Sequence, residues 1–378
     1  MEFSCLQDNL SKGLANVSRA VAQRAPLPVT QNVLIETDES KIKITATNLE
    51  IAITTWISAT VSESGSLTIP ARMLTDFINS LPSGDQVEIK QVKDKQGIEI
   101  KCKSYKGRIS GTAASEFPPI PVAGNEPVIS VSAKKMKKSL ARVALVAATD
   151  DSRPVLMGVK VEIDAESITM AAADGFRLAV DKVEVFDSEG TTSSAIVPGK
   201  TMLELERLIN ESSQENIQIA ITDASNQIMF IMDNIQVVSQ LITGVFPDYE
   251  KLIPNSSTTQ TFVNRKEFMQ SVKAASIFAR EGSGIIKLIM DKDSKKINIL
   301  SNAEEGGDLE NEIEADINGD ESKVAFNSRF LQDVVSALDS ELIKIDSSSP
   351  SSPGVFTENT DDGNSSYRHV IMPMFVQW

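Results

Sequence analysis

At 378 residues and 41% hydrophobic content, the chain exceeds one ordinary domain and has enough apolar side chains for substantial cores. Its formal net charge of −15 argues against a surface that binds nucleic acid all over, and no apolar run approaches the roughly 20 residues a bilayer requires. Cys5 and Cys102 have no metal-like spacing and no charged-then-apolar leader precedes the first helix, which predicts a reduced, cytoplasmic protein that enters no membrane.

The first third opens on a helix-like segment, Leu6 to Arg24. Strands with one wet face follow at Lys41-Ile42-Lys43-Ile44-Thr45, Gln86-Val87-Glu88-Ile89-Lys90 and Gly97-Ile98-Glu99-Ile100-Lys101-Cys102. Between them, Ile69-Pro70-Ala71-Arg72-Met73-Leu74 closes a strand and opens a second helix. Phe117-Pro118 and Pro121 mark an exit.

The second third repeats this grammar. A helix spans Ala133 to Thr149, Val197-Pro198-Gly199-Lys200-Thr201-Met202 closes a strand and opens a helix, Asn216 to Ile221 alternates, and Phe246-Pro247 with Pro254 marks the exit. In the last third the helix runs from Arg265 to Arg280, Phe326-Asn327-Ser328-Arg329-Phe330-Leu331 is the strand-to-helix junction, and Ile343-Lys344-Ile345 alternates. The junctions lie 128 and 129 residues apart, counted from Pro70 to Pro198 to Asn327. Thr47-Asn48, Ala173-Asp174 and Ser301-Asn302 recur as matching strand ends. A period of domain size predicts an α+β protein of three similar tandem domains, 1–124, 125–254 and 255–378, each with two helices packed on antiparallel sheets.

Charge follows the repeat. Lys134 to Arg142 holds five basic residues and no acid, Lys12 and Arg19 lie seven apart, and Lys266, Lys273 and Arg280 form one stripe. Basic faces on equivalent helices of an acidic protein suit loose, sequence-independent contact with phosphates. Acids gather in the run from Glu304 to Asp316, and Lys101, Lys103, Lys106 and Arg108 mark a basic edge strand, so the two ends of the chain are charge-complementary and could pair head to tail. A calcium loop beginning at Asp316 fails because Glu321 stands where it needs glycine.

Catalytic and cofactor motifs are missing. His369 is the lone histidine, no phosphate-cradling or dinucleotide glycine loop occurs, and turn chemistry explains Asp150-Asp151 and Asp361-Asp362. The expectation is no enzyme, no cofactor and no metal.

Met1-Glu2-Phe3 with Leu27-Pro28-Val29, Ile69-Pro70-Ala71-Arg72, Arg153-Pro154-Val155-Leu156-Met157-Gly158, Ala173-Asp174-Gly175-Phe176-Arg177-Leu178-Ala179, Phe246-Pro247-Asp248-Tyr249 and Met372-Pro373-Met374 follow one another along the whole length. By these residues the chain resembles the bacterial DNA sliding clamps, the β subunits of the replicative DNA polymerase III. The resemblance implies a head-to-tail homodimeric ring around duplex DNA, with Arg24, Arg72 and Lys200 facing the DNA beside Lys12, Lys138, Arg142, Lys273 and Arg280 of the basic stripes. It implies a joint pairing Lys106, Arg108 and Ile109 with Ile277, Phe278, Glu304 and Asp308. It further implies a pocket for partner peptides at Leu156, Ala173, Gly175, Phe176, Arg177, Leu178, Pro247, Leu252, Val370, Ile371, Met372, Pro373 and Met374. Partners implied are the polymerase catalytic subunit, a clamp loader, repair polymerases, mismatch-repair proteins and ligase, with the clamp cytoplasmic and at the nucleoid during replication. Many clamps carry Thr at the position of Ala173 and His at that of Phe176, and Phe375 to Trp378 extend beyond the usual end. The alternative is an acidic three-domain interaction scaffold or DNA mimic that never encircles DNA; a hydrolase built on the acidic cluster ranks below it.

Overall fold

A computed structural model describes residues 1–22, 27–92, 96–121, 128–187, 192–211, 214–222, 226–303, 306–360 and 365–378. The first third runs β1 (Glu2–Leu6), α1 (Gln7–Val17), β2 (Asn32–Asp38), β3 (Lys41–Thr47), β4 (Ile51–Ser58), β5 (Thr60–Glu63), β6 (Ser66–Pro70), α2 (Ala71–Ser80), β7 (Gln86–Gln91), β8 (Gly97–Cys102) and β9 (Tyr105–Ser110). The second runs β10 (Val128–Ser132), α3 (Ala133–Val143), β11 (Gly158–Ile163), β12 (Ser167–Ala173), β13 (Arg177–Asp187), β14 (Ser193–Pro198), α4 (Gly199–Glu211), β15 (Asn216–Thr222), β16 (Gln227–Met232) and β17 (Ile235–Gln240). The third repeats it with β18 (Thr259–Asn264), α5 (Arg265–Arg280), β19 (Ile285–Asp291), β20 (Lys296–Ala303), β21 (Gly307–Gly319), β22 (Ser322–Asn327), α6 (Ser328–Ala337), β23 (Leu342–Ser347), β24 (Gly354–Glu358) and β25 (Arg368–Ile371). All paired strands are antiparallel, as the alternating patterns require.

Two helices depart from expectation at their C-terminal ends. The first stops at Val17 and tightens into a 3-10 turn over Ser18–Ala20, where the Ser18 hydroxyl bonds back to the Ala15 carbonyl at 2.8 Å. The third stops at Val143 before a similar turn at Ala144–Val146. Helices α5 and α6 have true N-caps: Asn264 accepts from the amides of Lys266 and Glu267, and Asn327 from those of Arg329 and Phe330.

The chain divides into two compact units. The first comprises Met1–Lys137, Val185–Thr191 and Glu204–Leu241. It holds a sheet ordered β5-β1-β7-β8-β9, and a longer one in which β10, β15, β16 and β17 continue into β4, β3, β2 and β6. The crossing point sets Val237 opposite Ile53. Leu10, Leu14 and Val17 of α1 and Leu74 and Ile78 of α2 are buried, as are Ile35, Ile42, Ile44 and Ile53 of the sheet. Gly13 permits that approach, because a Cβ there would lie 2.9 Å from Ile57 and 3.2 Å from Ile44.

The second unit comprises Lys138–Glu184, Thr192–Leu203 and Ile242–Trp378. Its longer sheet runs β14-β11-β12-β13-β25-β24-β23-β18 and ends on residues 315–319 of β21. Its shorter sheet is β22-β19-β20 with residues 307–314 of β21. Here β13 carries β25, with Ala179 opposite His369. Phe268, Val272, Ala275 and Ala279 of α5 and Leu331, Val334 and Val335 of α6 are buried in the core.

Register corrects one echo. Ile44, Met170 and Ile299 occupy the same place relative to the strand-to-helix junction of each third, so Ala46, Ala172 and Ser301 are equivalent. Thr47-Asn48 therefore matches Ala173-Asp174 and, in the last third, Asn302-Ala303 rather than Ser301-Asn302; β20 continues to Ala303 instead of ending there.

Candidate functional site

An apolar cluster, the candidate partner pocket, lies within the second unit, on the face of the long sheet opposite its helices. Leu178 on β13 faces Ala173 on β12 and Val370 on β25, and Val370 faces Val355 on β24. Side chains two apart on a strand share a face, so Ala171, Ala173, Leu178, Val355 and Val370 form one floor. The segment from Ile242 to Ile253 crosses it with Phe246 and Tyr249, whose rings meet edge to face at 6.4 Å. The Tyr249 hydroxyl donates to Glu162 at 2.6 Å; burial first, then that carboxylate, raises its pKa.

The rim is set by a tight turn. The Asp174 carboxylate accepts from the amides of Phe176 and Arg177 and from Arg177 Nε, at 2.9 to 3.0 Å. Gly175 sits at φ +92°, and a Cβ there would lie 2.8 Å from the Arg153 guanidinium. The turn holds Phe176 out, 60% exposed, beside Met372, whose amide donates to the Phe176 carbonyl at 2.9 Å. Leu252 and Pro247 stand exposed on the covering segment, and Pro373 and Met374 follow half-buried, with the Met374 amide held by the Ala325 carbonyl.

Two expected pocket residues point elsewhere. Arg177 reaches the helix side, bonding Asp333 at 2.7 Å and the Leu145 carbonyl at 3.2 Å and lying 4.4 Å over the Phe330 ring. Ile371 is fully buried on that same side by strand alternation. Arg177 therefore braces the turn, and neither side chain lines the floor. Sequence reasoning missed Ala171, Ile196, Phe246, Tyr249 and Val355; alternation about Leu178 and Val370 was the signal that could have found Ala171 and Val355.

The basic residues behave unequally. Lys12, Lys200 and Lys273 are exposed on α1, α4 and α5. The Arg72 side chain is 96% exposed, with Asp76 at 3.9 Å, and Arg280 is exposed beside Glu281. Lys138 bridges Asp339 at 3.0 Å and Glu358 at 3.4 Å. Arg142 corrects the expectation: it is 3% exposed, bonded to Glu358 at 2.5 Å and Asp339 at 3.4 Å, near Asp181 at 3.9 Å, and 4.9 Å from the Tyr367 ring. Its charge is answered inside the protein, so it is not a phosphate contact. Burial pushes the Glu358 carboxyl up, but the Asp339 amide, Arg142 and Lys138 together outweigh it and hold its pKa below the usual value. Arg24 lies outside the described residues.

His369 ends this network. Its Nδ1 shares a 2.7 Å hydrogen bond with the Tyr367 hydroxyl, and burial, helped by Arg177, lowers its pKa to about 3. An unfolded chain protonates this ring near 6.5, whereas the folded one resists down to about 3. Stability should therefore fall with pH across that window, by at most about 1.4 kcal/mol per pH unit from this group. Melting His369→Gln and the parent side by side from pH 7 to pH 4 should show a shallower decline for the variant; equal slopes would refute the assignment.

Two sheet edges complete the picture. Outer β9 pairs only with β8, and residues 307–314 of β21 pair only with β20, among the described residues. On β9, Lys106 and Arg108 reach Glu99 at 3.2 and 2.8 Å, while Gly107 leaves room for Phe77, which would lie 2.7 Å from a Cβ. Ile109 is buried in its own core, so it offers an outside partner only its backbone. On the other side Asp308 and Glu310 are exposed, Ile277 on α5 is 59% exposed and Phe278 half-buried. Glu304 lies outside the described residues.

Among the described residues there is no cluster of three metal-ligating side chains and no helix long and apolar enough to cross a membrane. Family models match along the chain: DNA polymerase III beta subunit N-terminal domain at residues 1–121, central domain at 130–248 and C-terminal domain at 250–375. A beta sliding clamp from Staphylococcus epidermidis is 29% identical over 99% of both chains. The DNA polymerase sliding clamp of Bacillus subtilis superposes with a TM-score of 0.93 at 26% identity over all of both chains, and that of Pseudomonas aeruginosa with 0.89 at 26%.

Proposed function

The chain belongs to the DNA polymerase III beta subunit family and is a DNA sliding clamp, and we propose that two copies close head to tail, β9 of one pairing with β21 of the next. The observation that carries this is the internal repeat. The last strand of the second third pairs with the fourth strand of the first, β17 on β4, and the last strand of the final third pairs with β13. By the same rule β9 and β21 are the pair left without each other.

The repeat also supplies the register. Gly107 occupies the place of Val237 and His369, each opposite the matching residue of its neighbouring strand, Ile100, Phe230 or Phe356. Leu309 occupies the place of Ile53 and Ala179, opposite Ser301, Ala46 and Ala172 respectively. Since Val237 faces Ile53 and His369 faces Ala179, Gly107 would face Leu309 of the second copy. Lys106 would then face Glu310, and Arg108 would face Asp308. Opposite charges at directly opposed positions support pairing.

Each chain contributes three domains, with boundaries near 124 and 254, the second of which lies just after the segment that covers the pocket. Exposed Lys12, Arg72, Lys200, Lys273 and Arg280, with Arg24, contact DNA phosphates without reading bases, and the clamp catalyses no reaction. The apolar pocket receives short peptides of the polymerase catalytic subunit, the clamp loader and repair proteins in the cytoplasm, and Met372 and Met374 suit it to varied partners. A scaffold that never encircles DNA is not favoured by this family membership.

The test is topological. Loaded on nicked circular DNA by a clamp loader, the protein should remain on circles and leave once the DNA is linearised; equal loss from both forms would sink the ring. Changing Lys273 and Arg280 to alanine, four cations in a ring of two copies, should lower the salt dependence of DNA contact by up to about four units of log–log slope. An unchanged slope in filter binding would remove those residues from the DNA face.

A further inference from the structure

We propose that a polar groove on the same sheet face as the apolar pocket, and continuous with it, holds an acidic stretch of the partner polypeptide whose apolar residues fill the pocket. This rests on the pocket being the partner site. The groove has a volume of about 1000 Å³ and shares Val180, Tyr249, Ile253 and Val355 with the pocket's walls. Its floor carries three cations, Lys182 on β13, Arg368 on β25 and, one strand further across β24, Lys344 on β23. Val180 faces Arg368, Arg368 faces Thr357, Thr357 faces Lys344, and Lys182 lies two residues beyond Val180.

Their charges are not equally answered. Lys344 is paired with Asp346 at 3.0 Å. Lys182 and Arg368 are exposed, and no ion pair with a described residue engages either side chain. Around them stand hydroxyl and amide groups, among them Asn255, Ser256, Ser348 and Ser366. Lys182 feels the Asp164 carboxylate without an ion pair to it, and exposed cations with no ion pair to a described residue, set among hydroxyl and amide groups, favour an anion.

Continuity with the apolar floor decides the class of anion. A polypeptide can present apolar side chains to one end and carboxylates to the other, whereas a polynucleotide offers no aliphatic side chain to the pocket. Among its lining residues the groove also offers no exposed aromatic ring on which a base could stack.

Labelled synthetic peptides with one leucine- and phenylalanine-bearing core, flanked on either end by oligo-aspartate or oligo-asparagine, test this by fluorescence anisotropy on the full-length protein. At low salt one aspartate-flanked peptide should bind about fivefold tighter than its asparagine counterpart. Lys182→Glu with Arg368→Glu should erase that difference and leave the asparagine peptide unchanged; Lys182→Gln with Arg368→Gln serves if the reversal impairs folding. Equal binding of both peptides to the parent overturns the groove while the pocket stands, and so does an aspartate preference that survives the variants. No binding by any peptide overturns both. An oligodeoxythymidylate that binds the parent but not the variants, with the two peptides bound alike, overturns the groove in favour of nucleic acid.

Discussion

Reversing Lys106 and Arg108 to glutamate is expected to leave the protein monomeric at concentrations where the parent is a dimer. The transferred register sets these side chains opposite Glu310 and Asp308 of the second copy, so each substitution turns an attraction into a repulsion. Directly opposed pairs contribute roughly 0.2–1 kcal/mol each, and reversing two of them should weaken association roughly a hundredfold. Sedimentation equilibrium reads the change directly. The decisive arm is the swap: adding Asp308→Lys and Glu310→Arg should restore the dimer, whereas Glu312→Lys and Glu314→Lys should not. Rescue by the second pair and not the first would place the register elsewhere, and a dimer indifferent to all of these changes would move the joint away from β9. Retention on circular DNA should follow the dimer through the series.

Replacing Arg142 with alanine is expected to destabilise the chain by about 3–5 kcal/mol, because it leaves Asp181 buried without its cation and Glu358 with Lys138 alone. That should lower the melting temperature by roughly 10 °C. The sign with pH follows from Glu358. In the parent its carboxyl is held below the usual value, which adds stability above the ordinary carboxylate pKa that is lost as pH falls through the lowered one. Without Arg142 the Asp339 amide and Lys138 still hold Glu358 down, but Asp181, whose carboxyl burial already raises, loses the cation that opposes burial, so it takes up a proton more readily and the variant should recover part of its deficit as pH falls. Pairing Arg142→Met with Asp181→Asn should be milder than Arg142→Met alone, since no buried carboxylate is then left without its cation. A small, pH-independent effect of Arg142→Ala in differential scanning calorimetry would contradict the buried network, and an exposed phosphate-binding arginine would give that result.

Arg142 shows where reading the sequence stopped. Its spacing from Lys135 put both on one helix face, yet the carboxylates that claim it are 39 to 216 residues away. Helical periodicity fixes a side chain's direction along its own element but says nothing of a strand arriving from another part of the chain. The strand patterns were legible for the same local reason: Lys41 to Thr45 and Asn216 to Ile221 alternate because one face of each is wet. The pocket was half legible. Leu178 and Val370 came through a family resemblance, while alternation, applied strictly, would have added Val355 and removed Ile371. The one-residue offset at Ser301 was invisible because composition marks where a strand ends, and register is fixed only by its neighbours.

The sheet crossings carry a last consequence for how such a ring could open. The seams within one chain set Val237 against Ile53 and Leu178 against Val370, and no acid stands opposite a base in either. The seams between copies would be faced by lysine, arginine, aspartate and glutamate in the same positions. One architectural joint would thus be made in two materials, an inner version without opposed charges and an ionic version between copies that water and salt can re-enter. If the proposed ring opens, the charged seams between copies would be the ones to part, leaving the joints within each chain in place.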